Sequence, residues 1–214
     1  MSKGEFIVIE GLDGSGKATQ TELLIESLRK QDQDVKFISF PQYEEKSSGL
    51  AEEYLSGKYG TAAEVGPKIA SIFFACDRYD GSFKIKRWLK QGSFVVADRY
   101  TSSNMHQAGK IRDEKERKKF INWLYDLEFE FFGIPKPDKI IFLKITPEFA
   151  FESLKSKKER DIHEDDFEHL KGAHQAYMSL IEAEDNFEVI EVTENGSFLD
   201  PKTINEKILN ILSI

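Results

Sequence analysis

A short apolar run, Phe6-Ile7-Val8-Ile9, leads almost directly into Gly11-Leu12-Asp13-Gly14-Ser15-Gly16-Lys17, and this junction constrains the fold more than any other feature of the chain. The segment fills the first seven places of G-x-x-x-x-G-K-[ST]. Glycines there let backbone N–H groups turn inward around phosphate oxygens, and the helix that follows adds its positive N-terminus. Lys17 is placed to neutralise the β- and γ-phosphates of ATP, so the expected ATP contacts are Gly11, Asp13, Gly14, Ser15, Gly16, Lys17, Ala18 and Thr19. With Gly and Lys each near ~7% of residues, a chain of this length holds about 0.07 chance matches, so coincidence is a poor explanation. One place departs from the pattern. Ala18 stands where a hydroxyl usually ligates Mg²⁺, and Thr19 lies about 100° further round a helix. Mg²⁺ then depends on triphosphate oxygens, water and the carboxylates of Asp13 or Asp98.

The spacing of apolar residues predicts a helix over 17–30, a strand over 35–40 stopped by Pro41, and a short helix over 50–55. A helical period runs over 67–90, with a break expected at Asp80-Gly81-Ser82, and Phe94-Val95-Val96-Ala97 reads as a third strand. A charged amphipathic helix is expected over 113–132, a fourth strand over 139–145, and a helix capped by Thr146 with Pro147 in its first turn. A helix over 166–183, a strand over 187–192 and a last helix opened by Asp200-Pro201 complete the pattern. Strands alternating with helices imply an α/β fold: a five-stranded parallel sheet with helices on both faces, its ligands beyond the carboxyl ends of the strands.

A net charge of −8 argues against bulk binding to nucleic acid polymers, so anion recognition requires locally concentrated cations. The single cysteine, Cys76, excludes an internal disulfide and suits a reducing compartment; it is read as an inert buried thiol. No apolar run is long enough to span a bilayer, and no linker or repeat divides the chain. The expectation is a soluble, cytoplasmic protein with one domain over 1–214 and no membrane partner.

The residues 11–20, Phe40-Pro41, Phe74-Ala75-Cys76-Asp77-Arg78 and 98–107 (DRYTSSNMHQ) together resemble the thymidylate kinase family in order and spacing, as does Pro135-Lys136-Pro137-Asp138 before a strand. The resemblance runs from the first strand to about residue 183. It implies a P-loop NTPase fold of the nucleoside monophosphate kinase kind, with a short lid near 155–166. The implied reaction is transfer of the γ-phosphate of ATP to dTMP, with Mg²⁺, by a homodimer. It also implies that Arg99 grips the acceptor phosphate and that Asp13 lies near the sugar 3′-hydroxyl and the metal. Phe40, Tyr43, Ser103, Asn104 and Gln107 fall at acceptor-site positions. Many family members carry arginine where this chain has Gln42, which transfers phosphate bridging to another cation, Lys46 or Arg99.

The residues support the same assignment in physical terms. On a helix from Pro67, Ile69, Ile72, Phe73 and Cys76 form one stripe expected to face the core. Phe74 and Arg78 then sit roughly 140° and 180° away, a pair suited to stacking a base and donating to its carbonyl, or else a satellite contact beside a surface arginine. Asp98 either organises metal-bound water or holds Arg99. Asn104 and Gln107 carry amides that match a pyrimidine's ring N–H between two carbonyls; they also fit a solvated helix. Lys155-Ser156-Lys157-Lys158-Glu159-Arg160 reads by itself as a solvated helix end; the resemblance makes it the cationic lid, with Arg160 a candidate catalytic residue together with Lys17, Arg99 and Asp13. His106, His163, His169 and His174 lack metal-ligand spacing and are read as structural or solvated, and 115–119 as the wet face of a helix. Two other readings remain: a kinase with a different acceptor, such as dUMP or a deoxynucleoside, and a non-catalytic nucleotide-binding module, which Ala18 and Gln42 keep open.

Overall fold

A computed structural model describes residues 4–155 and 167–214. The chain runs through Glu5–Gly11 (β1), Lys17–Lys30 (α1), Val35–Ser39 (β2), Gly49–Leu55 (α2), Ala62–Val65 (α3) and Pro67–Gln91 (α4). Phe94–Asp98 (β3), Met105–Ala108 (α5), Glu114–Tyr125 (α6), Lys139–Lys144 (β4) and Pro147–Leu154 (α7) follow. Phe167–Ile181 (α8), Phe187–Glu191 (β5), a hairpin of Thr193–Glu194 (β6) and Ser197–Phe198 (β7), and Pro201–Leu212 (α9) end it.

The five long strands form one sheet in the order β2-β3-β1-β4-β5, every neighbouring pair parallel. Side chains alternate across a strand, and the burial follows that period. Ile7, Ile9, Phe94 and Val96 join the larger core, while Phe6, Val8, Val95 and Ala97 join the second core against Ile85 of α4. Helices therefore cover both faces, as alternating strands and helices require. The strand order reverses at β1, with β3 on one side and β4 on the other, so the crevice beyond β1 is the topological switch point. No helix among the described residues is long and apolar enough to cross a membrane.

Local signals place the helix ends. Thr146 Oγ1 accepts from Phe149 N at 3.2 Å, Asp113 Oδ1 from Glu116 N at 2.9 Å, and Asp200 Oδ1 from Lys202 N at 2.9 Å. Each satisfies a donor that the first turn leaves without an intrahelical acceptor. Asp138 Oδ2 accepts from Phe6 N at 2.8 Å and so anchors the start of β1.

Three expectations need correction. α4 is continuous through Asp80-Gly81-Ser82. Gly81 is there because a Cβ would lie 2.7 Å from the Phe40 ring, a matter of close approach and not of helix breaking. The stripe Ile69, Ile72, Phe73, Cys76 does not face the core: Ile69 is 48% exposed, and the buried face of α4 is Ala70, Ser71, Ala75, Asp77, Arg78, Gly81, Ser82 and Ile85. Only the second half of α4, from Gly81 through Ile85, Trp88 and Leu89, packs against the sheet cluster. Its first half passes beside the 46–55 segment, where small and polar residues allow close contact, and Phe73 packs on Tyr54 and Tyr59. Cys76 is accordingly only partly buried, its thiol pushed up by desolvation. Finally, the helix expected over 113–132 changes at Asp126 into a π-helical segment, Asp126–Phe131. The β6–β7 hairpin was not expected. The 115–119 cluster is solvated as expected, with Lys119 72% exposed.

Candidate active site: two clefts sharing Asp13 and Arg99

The loop after β1 turns through left-handed backbone at Gly16 (φ 87°), which is the N-cap of α1. A Cβ would meet nothing there, so glycine is required by backbone conformation alone. The Lys17 ammonium folds over the loop and donates to the carbonyls of Gly11 and Leu12, each at 2.9 Å, 3.6 Å from Asp13 Oδ1. Burial lowers its pKa and Arg99 adds to this, against the opposing pull of Asp13, Glu10 and Asp98.

Asp13, Gly14, Ser15, Gly16, Lys17, Ala18 and Thr19 line one open cleft with Asp98 and Arg99. Its far wall is Phe198, Leu199, Pro201 and Ile204, an apolar surface supplied by the hairpin and the start of α9 that sequence reasoning missed. Gly11 lies behind the loop, at the end of β1, and does not line it.

A second cavity of about 680 Å³, its open mouth included, adjoins the first. Asp13, Phe40, Tyr43, Phe74, Arg78, Arg99, Ser103, Asn104 and Gln107 all line it, so every residue expected at the acceptor site converges on one space. Phe74 packs edge-on against Tyr54, ring centroids 6.0 Å apart, and Tyr43 is 62% exposed at the rim. Arg78 is not the surface arginine of the alternative reading. It is 2% exposed and makes a two-bond ion pair with Glu128, Nε to Oε2 at 2.6 Å and Nη2 to Oε1 at 2.7 Å. Gln107 accepts from Lys110 Nζ at 2.7 Å.

Arg99 follows β3 with φ 69° and pairs with Asp13. Burial alone would raise the Asp13 carboxyl, but the charges of Arg99, Lys17 and His106 and the Arg99 hydrogen bond hold it well below the usual range. Arg99 and Asp13 border both clefts. Of the cations considered in place of an arginine at 42, Arg99 lines the cavity and Lys46 does not. Gln42 is 7% exposed and turned onto Asp77, its Nε2 donating to Asp77 Oδ1 at 3.1 Å and to the Asp77 carbonyl at 3.2 Å.

Sequence reasoning missed two buried acids. Glu10, fully buried at the end of β1, accepts from Ser102 Oγ at 2.8 Å and Ser103 Oγ at 2.7 Å, tying the loop after β3 to the phosphate loop. Glu128 is the other. Glu10 ends an apolar run, where an acid is itself a signal; Glu128 is one of three acids that alternate with apolar residues over 126–131, and nothing local sets it apart. His106 and His169, read as structural or solvated, are buried, stacked with centroids 5.5 Å apart, and line the second cavity. Burial holds His106 well below its ordinary value. Arg160, most of the expected lid and His163 lie outside the described residues; Lys155 pairs with Glu152.

Asp98 Oδ1 and Ser15 Oγ are buried beside the loop without a hydrogen-bond partner. An acceptor-only carboxylate oxygen left over next to a triphosphate cradle fits Mg²⁺ or its water. The Asp13 carboxylate is already committed to Arg99. Among the described residues no group of three or more His, Cys, Asp or Glu could hold a metal, so most ligands would come from the nucleotide and water.

A parallel sheet with a Gly-rich loop at its switch point, adjoining a second polar and aromatic cavity, defines a protein of the P-loop class. Comparison with known proteins narrows the class. The thymidylate kinase family model matches residues 9–198, and the chain belongs to that family: it is a kinase, of the family that phosphorylates dTMP to dTDP with ATP. It is 32% identical over 156 residues to the thymidylate kinase of Mycobacterium tuberculosis, covering 72% of each chain. It is 32% identical over 149 residues to that of Plasmodium falciparum, covering 69% of this chain and 65% of the other. The fold matches a thymidylate kinase structure from Candida albicans with a TM-score of 0.79, covering 100% of this chain and 93% of that one at 24% identity.

Proposed function

We propose that the chain carries out this transfer by holding ATP in the Gly14–Thr19 cleft and dTMP in the Phe74–Arg78 cavity, with Asp13 and Arg99 at their junction. The observation that carries the reading is that these two residues border both clefts. In this assignment Lys17 and Arg99, with Arg160 from the lid, neutralise the transferring phosphoryl group. Phe74 stacks the base, Arg78, Asn104 and Gln107 present hydrogen-bonding edges to it, and Phe40, Tyr43 and Ser103 complete the wall. Asp13 orients Arg99 and faces the acceptor sugar.

A phosphate monoester has its second pKa near about 6 and arrives largely dianionic at neutral pH, so no residue has to remove a proton. The chain's task is to align two mutually repelling anions and offset their charge. Mg²⁺ bound to the triphosphate would supply further charge neutralisation, and Asp98 is the residue best placed to hold it or its water. A homodimer built on α4 and the α6 region fits the exposed aromatics Tyr79, Phe83 and Phe131, which are 43%, 59% and 81% exposed. A single cytoplasmic domain over residues 1–214 accords with the one cysteine and the unbroken strand–helix pattern.

The test is an acceptor panel of dTMP, dUMP, dCMP and thymidine with ATP and Mg²⁺. dTMP-dependent ADP formation should be fastest. Nucleotide binding without monophosphate-dependent ADP formation would favour a non-catalytic module instead.

A further inference from the structure

Glu128 belongs to no motif in the sequence, yet its carboxylate is filled to capacity. Oε2 accepts from Arg78 Nε at 2.6 Å and Thr101 Oγ1 at 3.0 Å; Oε1 accepts from Arg78 Nη2 at 2.7 Å and Asn104 Nδ2 at 3.3 Å. The side chain is 0% exposed and Arg78 2%. Two of these three partners, Arg78 and Asn104, line the second cavity. The acid comes from the π-helical segment Asp126–Phe131, whose wider turn rotates it away from the path α6 would have continued; π-turns of this kind recur at functional sites.

A buried ion pair is a poor source of stability, because a well-packed apolar pair of the same volume usually serves as well. What the pair does provide is orientation and charge cancellation. A guanidinium has five N–H donors in a rigid fork. Glu128 takes two, which leaves three for a ligand and fixes the plane in which they point. It also removes the net charge that would otherwise draw a phosphate to that end of the cavity. Arg99, in contrast, is 26% exposed, pairs with Asp13 and not with Glu128, and borders the phosphate-loop cleft as well as this cavity, whereas Arg78 lines the cavity alone.

We infer that Glu128 is a positioning residue for acceptor recognition: it locks Arg78 and Asn104 and neutralises Arg78, so that this end accepts an uncharged nucleobase and the acceptor's phosphate goes to Arg99. The inference rests on the reading of this cavity as the acceptor site.

Steady-state kinetics on the full chain test it, with wild type, Glu128→Gln, Glu128→Asp, Arg78→Met and the Arg78→Met/Glu128→Gln double variant. Losing a charged hydrogen-bond partner should raise KM for dTMP by about tenfold or more in Glu128→Gln, with KM for ATP and kcat changing less than about threefold. Inorganic phosphate should become a stronger inhibitor competitive with dTMP, because Arg78 is now uncompensated. The double variant should lose that inhibition and bind dTMP no worse than Arg78→Met. Glu128→Asp keeps the charge but shortens the reach, so it should raise KM for dTMP without the phosphate inhibition; it carries the test if Glu128→Gln does not fold. Unchanged KM for dTMP in both Glu128 variants, a matching loss for ATP, or additive effects in the double variant would overturn the inference. If wild type is inactive on dTMP, or Arg78→Met leaves KM for dTMP unchanged, it is the cavity assignment that fails, whatever Glu128 does.

Discussion

The Arg99 guanidinium is paired with the Asp13 carboxylate, joining the loop after β3 to the loop after β1 where the two clefts meet. Each residue is drawn from a different strand end, so neither is placed unless the parallel β1–β3 pairing is formed. The pair orders the guanidinium at the border where a phosphoryl group would have to cross. Asp13→Asn keeps the shape and removes the charge. Stopped-time assays should show kcat reduced by about 10²-fold or more. The stability effect has a definite sign. The Asp13 pKa is depressed in the fold, so its contribution is present above the unfolded value near 3.8 and is lost as pH falls through the lower folded value. Denaturant melts at pH 7 should therefore show Asp13→Asn less stable by about 1–3 kcal/mol, with the gap closing in strong acid. An equally active and equally stable variant would remove Asp13 from the site.

Asp98 carries a buried carboxylate oxygen without a partner. Titrating Mg²⁺ at fixed ATP should show Asp98→Asn needing about tenfold more metal for half-maximal rate. If the Mg²⁺ dependence is unchanged and only KM for dTMP rises, Asp98 holds Arg99 and not the metal.

His106 gives a pH dependence of stability distinct from that of Asp13. Its pKa is pushed well below 6.5, by burial first and then by His169, Arg99 and Lys17, against the opposing pull of Asp13. The folded state thus stays neutral at pH values where the unfolded chain takes up a proton. Stability should fall as pH drops below about 6.5, because the unfolded state binds more protons in that window. His106→Phe should flatten that slope in melts between pH 7 and 5. A slope identical to wild type would show that other groups cause it. The acid limb of the rate profile should survive the substitution, since it follows the acceptor phosphate, whose second pKa is about 6.

At Gly81, two effects oppose each other. Replacing glycine by alanine inside a helix normally stabilises by about 1 kcal/mol. Here the new Cβ would meet Phe40 ring carbons at 2.7 Å and Ile38 Cδ1 at 3.0 Å, and overpacking of that kind costs about 1–3 kcal/mol. Gly81→Ala should therefore lower Tm and, because Phe40 walls the second cavity, raise KM for dTMP. A higher Tm with unchanged kinetics would show that the helix propensity wins.

The legible parts of this protein are those whose signal is local. The phosphate loop, the bounds of α1, the alternating strands, and the caps Thr146 and Asp200 each depend on residues within a few places of one another, and each lies where its pattern indicates. The nine residues that family resemblance assigns to an acceptor site all line one cavity. The rotation of α4 was misread for a physical reason: its apolar period presumes a sheet beneath it, whereas only the stretch near Ile85 has one. The same presumption turned Gly81 into a break.

From local sequence patterns came a parallel α/β sheet and a glycine-rich loop after β1, because hydrogen-bonding periodicity and glycine conformations act over short stretches of chain; the side chains that line the second cavity came from family resemblance. The tertiary structure decided which partner each of these acids meets. Glu128 reaches Arg78 across 50 positions, Glu10 reaches Ser102 across 92, and Asp13 reaches Arg99 across 86. Ion pairs and hydrogen bonds depend on distance and direction in space and not on sequence separation, so only the strand order and the π-turn after α6 could choose these partners.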